Sequence, residues 1–218
     1  TTTAFLQQAN HVFITPGTAY VYVHKESGEI VSNCHKIPQQ QFVKRLLNTS
    51  ECKDALQVCI DSLRQLNPHC KLHFTLSPVR HIKDGMVENQ RSKAILLESI
   101  WQCVEQNEQC FYFPSYEIMM DDLRDYRFYA DDLIHPSSMA VEYIFSIFSN
   151  AYFSEQTQEI NKEILSLQQA VNHKAFQAQS SAYLQFVEKN IERALRLKKD
   201  FPFLKIDTII HQLQQKKQ

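Results

Sequence analysis

The chain predicts an α/β fold, a three-layer α/β/α arrangement around a mostly parallel sheet, followed by a C-terminal helical hairpin. Three observations carry this. Short apolar strand patterns alternate with helical patterns through the middle of the chain, which calls for parallel strands covered by helices on both faces. The 218 residues are 44% hydrophobic, enough for one domain with its own core plus an appendage. After Pro136 the pattern turns to helix alone. The predicted division is 1–153 for the α/β domain and 154–218 for the helical extension.

In order, residues 12–15 form a β-branched and aromatic run stopped by Pro16-Gly17, a strand meeting a sharp turn. Residues 19–23 and 29–32 flank Lys25-Glu26-Ser27-Gly28, a hairpin with Gly28 at the positive-φ position. Ser50 is placed to cap a helix to about Leu66, with Ala55, Val58, Leu63 and Leu66 near helical spacing, and Asn67-Pro68 stops it. Residues 71–76 read as a strand ended by Ser77-Pro78, and 79–89 as a loop. From 90 to 107 a stripe of Ala94, Leu97, Trp101 and Val104 predicts a helix. Residues 110–113 make a further short strand, and Ser115 starts a helix carrying Ile118, Met119 and Leu123. Helices follow at 137–150, 154–171 and 180–199, and the Gln/Lys-rich tail 212–218 reads as frayed.

With a net charge of −1, no basic stripe is available to neutralise phosphates, so nucleic acid is not an expected partner. No apolar stretch approaches the ~20 residues that span a bilayer, so no membrane is expected either. The six cysteines form no Cys-x-x-Cys pair and most sit in apolar patterns, which predicts buried free thiols and, with them, a cytoplasmic location. Three glycines argue against a Gly-rich phosphate cradle, and no cofactor is expected. The opening residues carry no signal-peptide pattern and no initiator Met, and read as a chain truncated at its N-terminal side.

Chemistry is sought where parallel strands finish, because ligands in such sheets bind outside their carboxyl ends. Pro16-Gly17-Thr18, Ser77 to His81 and Pro114-Ser115-Tyr116 lie at such ends. Asp132-Leu133-Ile134-His135 offers a carboxylate three residues before an imidazole; it can fix the ring tautomer and leave the other nitrogen as a base. Given 24 acidic residues and nine histidines, about one such spacing is expected by chance, so the pair alone is uninformative and a helix-start His is the plain alternative. Ser77 lacks a Gly-x-Ser-x-Gly elbow, and Pro78 removes the next backbone donor, so a polar strand end is its plain reading. Asn33-Cys34-His35-Lys36 offers an oxyanion donor and a second imidazole, but adjacent Cys34 and His35 would point to opposite faces of an extended backbone. His35, His81, Asp132 and His135 could form a metal set, though without the local spacing that makes one sharp, and no metal is expected. Tyr126 to Tyr129 brackets an Arg with aromatics, which pack a loop or wall a pocket.

Six strings in order carry a resemblance: FITPGTAYVY at 13–22, NCHKIP at 33–38, SPVRH at 77–81, ENQRSKA at 88–94, YFPSYEI at 112–118 and DDLRDYRFYADDLIHPS at 121–137. Together they resemble the GSCFA family, a branch of the SGNH-hydrolase-like proteins, over roughly 5–150. The resemblance implies an SGNH- or flavodoxin-like sheet with a Ser–His–Asp arrangement, His135 as general base and Asp132 as its orienting carboxylate. Gly17 would sit at the turn of the strand that normally ends Gly-x-Asn-Asp; Ala19 stands where that Asn is expected, so its oxyanion donor is absent. Asn33 is the candidate replacement, with His35, His81 and Arg80 as further pocket residues. The family's Gly-Ser-Cys-Phe-Ala string, whose serine would be the nucleophile, does not occur in these residues.

The expectation is therefore an SGNH-type serine ester hydrolase, incomplete at its N-terminal side. Its substrate would be a small-molecule or glycan acyl ester, and the missing segment or a partner would cover the sheet edge. Alternatives are an inactive SGNH-like binding domain and a metal-dependent hydrolase.

Overall fold

A computed structural model describes residues 2–31, 37–174, 176 and 180–217. The chain divides into two compact units, 1–147 and 148–218.

In the first unit a short helix, α1 (Thr2–Leu6), precedes β1 (His11–Ile14). β2 (Tyr20–His24), β3 (Ile30–Val31) and β4 (Phe42–Leu46) then form an antiparallel sheet in the order β3-β2-β4. Gly28 turns the β2–β3 hairpin at φ +70°, as its sequence position predicts. β4 has no counterpart among the predicted strands. It pairs with the whole of β2, from Tyr20 opposite Leu46 to His24 opposite Phe42, and buries Phe42.

α2 (Thr49–Leu66), β5 (Lys71–Phe74), α3 (Met86–Gln106) and β6 (Cys110–Tyr112) complete a parallel sheet in the order β1-β5-β6. The α/β class and the parallel sheet are as the alternation predicts. One face of this sheet, with Leu72, Phe74 and Cys110, packs on Ile60 of α2 and on Ile100 and Cys103 of α3. The other face carries an aromatic ladder in register: Phe13, His73 and Phe111 stack at 4.5 and 5.2 Å between ring centroids.

Both helices differ from their sequence reading in detail. α2 is capped by Asn48, not Ser50. The Asn48 side chain accepts from the Glu51 N–H, and the Glu51 carboxylate accepts from the Asn48 N–H. α3 begins at Met86, four residues before the predicted start, after Gly85 at φ +93°. Its first turn exposes Met86 and Val87, so no apolar stripe announces it. Its buried face is Asn89, Ser92, Lys93, Leu96, Ser99, Ile100 and Cys103, one position off the predicted stripe, and Trp101 is 45% exposed. On α2 the buried residues are Cys52 and Ile60, while Val58 is exposed.

After β6, α4 (Ser115–Glu117) runs into a π-turn over Ile118–Asp122. α5 (Ser138–Tyr152) follows, and the division between the units falls within it. The second unit contains α6 (Glu155–Asn172), α7 (Ser181–Asp200) and α8 (Asp207–Gln215). Ser154 and Ser180 cap the first two through their side chains. α8 extends to Gln215, into the 212–218 tail expected to fray, and its Ile209, Ile210 and Leu213 are buried against Leu167, Ala170, Ala194 and Leu197. A two-helix hairpin leaves an apolar stripe open, and α8 closes it.

Among the described residues the free cysteines are Cys52, Cys59, Cys70, Cys103 and Cys110, four of them buried. Burial pushes the thiols of Cys52, Cys59, Cys103 and Cys110 up, so they stay protonated and unreactive. No helix of the described residues is long and apolar enough to cross a membrane.

Candidate active site

The carboxyl ends of the parallel strands are zipped together by backbone bonds. Thr75 N–H donates to Ile14 O, Ser77 N–H to Pro16 O, and Phe113 N–H to Phe74 O, at 2.8–3.0 Å. Ser115 Oγ adds a bond to Leu76 O at 2.9 Å.

The N-terminal half of α3 then pins each loop from below. Asn89 Oδ1 accepts from His81 N–H at 2.9 Å, and Ser92 Oγ accepts from Ala19 N–H at 2.7 Å. Lys93 Nζ donates to Gly17 O at 2.8 Å and to Ser77 O at 2.6 Å, joining the loops after β1 and β5. Glu88 accepts from Tyr20 OH at 2.7 Å. Lys93 is 1% exposed, and burial pulls its ammonium down to about 8. Asn89, Ser92 and Lys93 occupy the same helical stripe as Leu96, Ile100 and Cys103, where a core residue would be the default. Buried polar side chains persist only with partners, and here the partners are the strand-end loops.

Asp132 and His135 sit on a tight turn. Ala130 N–H donates to His135 O at 2.8 Å and Leu133 N–H to Ala130 O at 2.9 Å. Leu133 adopts φ +57°, a left-handed conformation costly for a branched side chain. Asp132 holds the turn: Oδ1 accepts from the N–H groups of Ile134 and His135 at 2.9 Å, and Oδ2 lies 2.6 Å from His135 Nδ1. The backbone N–H of His135, its ring and the Ile134 N–H hold the Asp132 carboxyl down at about 2. An ionised Asp132 accepting from Nδ1–H leaves Nε2 as the basic nitrogen.

That ring borders a cavity of about 490 Å³. The walls are Thr18, Tyr20 and Tyr22 beside Lys44 of β4, the 79–83 loop after β5, and Ile134 with His135. The His135 side chain is 61% exposed and borders the cavity. His81 shares the cavity. Desolvation, then Lys93 and Lys44, push its imidazole down, so it is neutral at neutral pH.

Of the residues singled out in sequence, Arg80, His81 and His135 line this one cavity. Asp132 stands behind His135 and orients it. Gly17 is next to His81: a Cβ there would lie 3.6 Å from His81 Nε2. Its φ is not left-handed, so the turn at Pro16-Gly17 does not itself demand glycine. Asn33, Cys34 and His35 lie outside the described residues. Ala19 is buried and its N–H is taken by Ser92, so it does not serve the cavity. Ser77 Oγ accepts from Val79 N–H at 3.3 Å and does not line the cavity. Among the described residues no three His, Cys, Asp or Glu side chains converge as a metal set.

Sequence reasoning missed Lys44, Tyr20, Tyr22 and Lys83 as cavity walls, and Asn89, Ser92 and Lys93 as supports. The signal for the supports was present: polar residues at 89, 92 and 93 spaced to fall on an apolar stripe with 96, 100 and 103.

Comparison with known proteins bears on the same residues. No curated protein and no solved structure matches the chain. The family model described as "GSCFA domain protein, C-terminal domain" matches residues 164–218. The model of the GSCFA family matches residues 1–148, which hold the parallel sheet, the supports on α3 and the Asp132–His135 turn; the chain belongs to the GSCFA family.

Proposed function

We propose that this protein is a serine-dependent acyl-ester hydrolase of the SGNH type, with His135 as general base and Asp132 as the carboxylate that orients it. The observation that carries the reading is the 2.6 Å contact between Asp132 Oδ2 and His135 Nδ1 on the rim of a cavity beyond the strand ends. In this mechanism His135 Nε2 takes the proton of a serine hydroxyl as it attacks the ester carbonyl. The acyl-enzyme forms as the alcohol leaves with that proton, and water then releases the acid by the same base. The serine is that of the Gly-Ser-Cys-Phe-Ala string, which the 218 residues do not contain. Substrates are small-molecule or glycan acyl esters, and the buried, protonated thiols suit a reducing cytoplasm.

The test is hydrolysis of short acyl esters by the protein at its natural length, with and without His135→Ala. Removing the base should slow turnover about a thousandfold or more. Equal turnover rejects the assignment.

A second reading, a non-catalytic binding domain of the same fold, is favoured by one observation: Ala19, where the fold family would place its Asn donor, is buried with its N–H occupied. Labelling by a fluorophosphonate probe, lost on heat denaturation, would eliminate it.

A further inference from the structure

We infer that the cavity beside His135 selects an anionic ligand, a carboxylate or phosphate group carried next to a short apolar segment; as a substrate class this rests on the hydrolase reading above. Among the described residues, the side chains lining the cavity include Lys44, Arg80 and Lys83, two imidazoles and no carboxylate. The chain as a whole has 23 basic and 24 acidic residues, so this one-sided lining is not the background composition.

The three cations are not equivalent. Lys44 is committed: it pairs with Asp84 and lies over the ring of Tyr20, 4.7 Å from its centroid. Arg80 and Lys83 form no ion pair among the described residues. The Arg80 guanidinium is held 5.4 Å from the centroid of the Tyr129 ring, with Nη2 3.1 Å from Met120 Sδ. A ring face and a thioether are weak partners that fix a guanidinium in place without cancelling its charge. A planar donor fork held this way presents its charge to a carboxylate or phosphate in bidentate geometry. Lys83, on the 3₁₀ turn Ile82–Asp84, adds a second uncompensated charge on the same wall. The same cavity is also lined by Val79, Ile82 and Ile134, which suit a short hydrocarbon segment between anion and ester.

The experiment measures equilibrium binding to the 218-residue chain by ligand-observed NMR at low ionic strength. Monomethyl glutarate supplies a carboxylate, inorganic phosphate a phosphate, and dimethyl glutarate a neutral ester of similar shape. The anionic ester should bind about tenfold or more tightly than the diester, with the preference shrinking in high salt. Lys83→Gln and Arg80→Gln should each remove most of that preference, whereas Lys217→Gln, in the second unit, should leave it intact. Whichever of phosphate and monomethyl glutarate binds more tightly identifies the favoured headgroup. Equal affinity for the two esters, no binding of either anion, or a preference untouched by both cavity variants overturns the inference. Turnover of neutral esters by the protein at its natural length, with no anion preference, would sink this inference and leave the hydrolase standing. Anion preference in a protein that hydrolyses no ester would do the reverse.

Discussion

Lys93 offers the sharpest test of how this site is held together. Its ammonium is 1% exposed and donates to the carbonyls of Gly17 and Ser77. Two hydrogen bonds from a charged donor contribute about 3–6 kcal/mol together. Against this stands desolvation: the displacement of Lys93 from 10.5 to about 8 corresponds to about 3 kcal/mol at 1.36 kcal/mol per pH unit. Lys93→Met therefore costs only about 0–3 kcal/mol at pH 7, and the pH dependence is more telling than the magnitude. Because the folded state releases the proton at about 8 and the unfolded chain holds it to 10.5, the unfolded state binds more protons between these values. Stability contributed by Lys93 must then rise with pH across that window, by about 2 kcal/mol between pH 7 and 9.5. The measurement is urea unfolding of wild type and Lys93→Met at pH 7, 8, 9 and 9.5. Trp101, the single tryptophan, lies on α3 with its ring 5.5 Å from that of Tyr112, so its fluorescence reports the first unit specifically. Tyr116, whose ring lies 5.8 Å from Lys93 Nζ, is pushed up by burial and stays protonated throughout. A stability difference between the two proteins that is flat to within about 0.5 kcal/mol over this range would refute a desolvated ammonium bridging the loops.

Ser92→Ala leaves the buried Ala19 N–H without its acceptor and should cost about 1–3 kcal/mol in the same unfolding assay; a change within error would mean that water takes over the bond. His73 is buried in the aromatic ladder, and burial, with His11 and Lys71, pulls its imidazole down to about 4. Its unfolded form takes a proton from pH 6.5 downward, so stability should fall by about 2 kcal/mol between pH 7 and 4.5, and His73→Phe should lessen that fall. Identical acid profiles for wild type and variant would contradict this. The Asp132 carboxyl, held down at about 2, should titrate there by carbon-detected NMR. Its contribution to the turn is present above its unfolded value of 3.8 and is lost as pH falls through about 2; a midpoint near 4 would show that the three hydrogen bonds are not made.

Much of the fold was legible because its elements obey local rules. Val12, Leu72 and Cys110 lie in apolar runs, each ended by a turn or proline, and all three runs are parallel strands. Gly28 marked its hairpin, and the helical patterns read from 154 and 180 begin at the serines that the structure shows capping α6 and α7. Where partners lie far off in sequence, local rules are silent. β4 is a strand because it pairs with β2 some twenty residues earlier, which no local pattern encodes. α8 is ordered because Ile209, Ile210 and Leu213 fill the open stripe between α6 and α7. The supports at 89, 92 and 93 look like an ordinary polar helix surface until the loops they bind fold down over them.

By itself the sequence determined the alternation of strands and helices, the free thiols, and the family to which the six strings belong. It also placed Asp132 three residues before His135, a spacing that chance supplies about as often as chemistry does. Tertiary structure alone decided that this carboxylate grips the imidazole and that Arg80 and His81, more than fifty residues away, share its cavity. The reason is physical. Hydrophobic periodicity is written locally in the chain, whereas a site is an arrangement of charges and donors whose distances are set by which strands lie side by side.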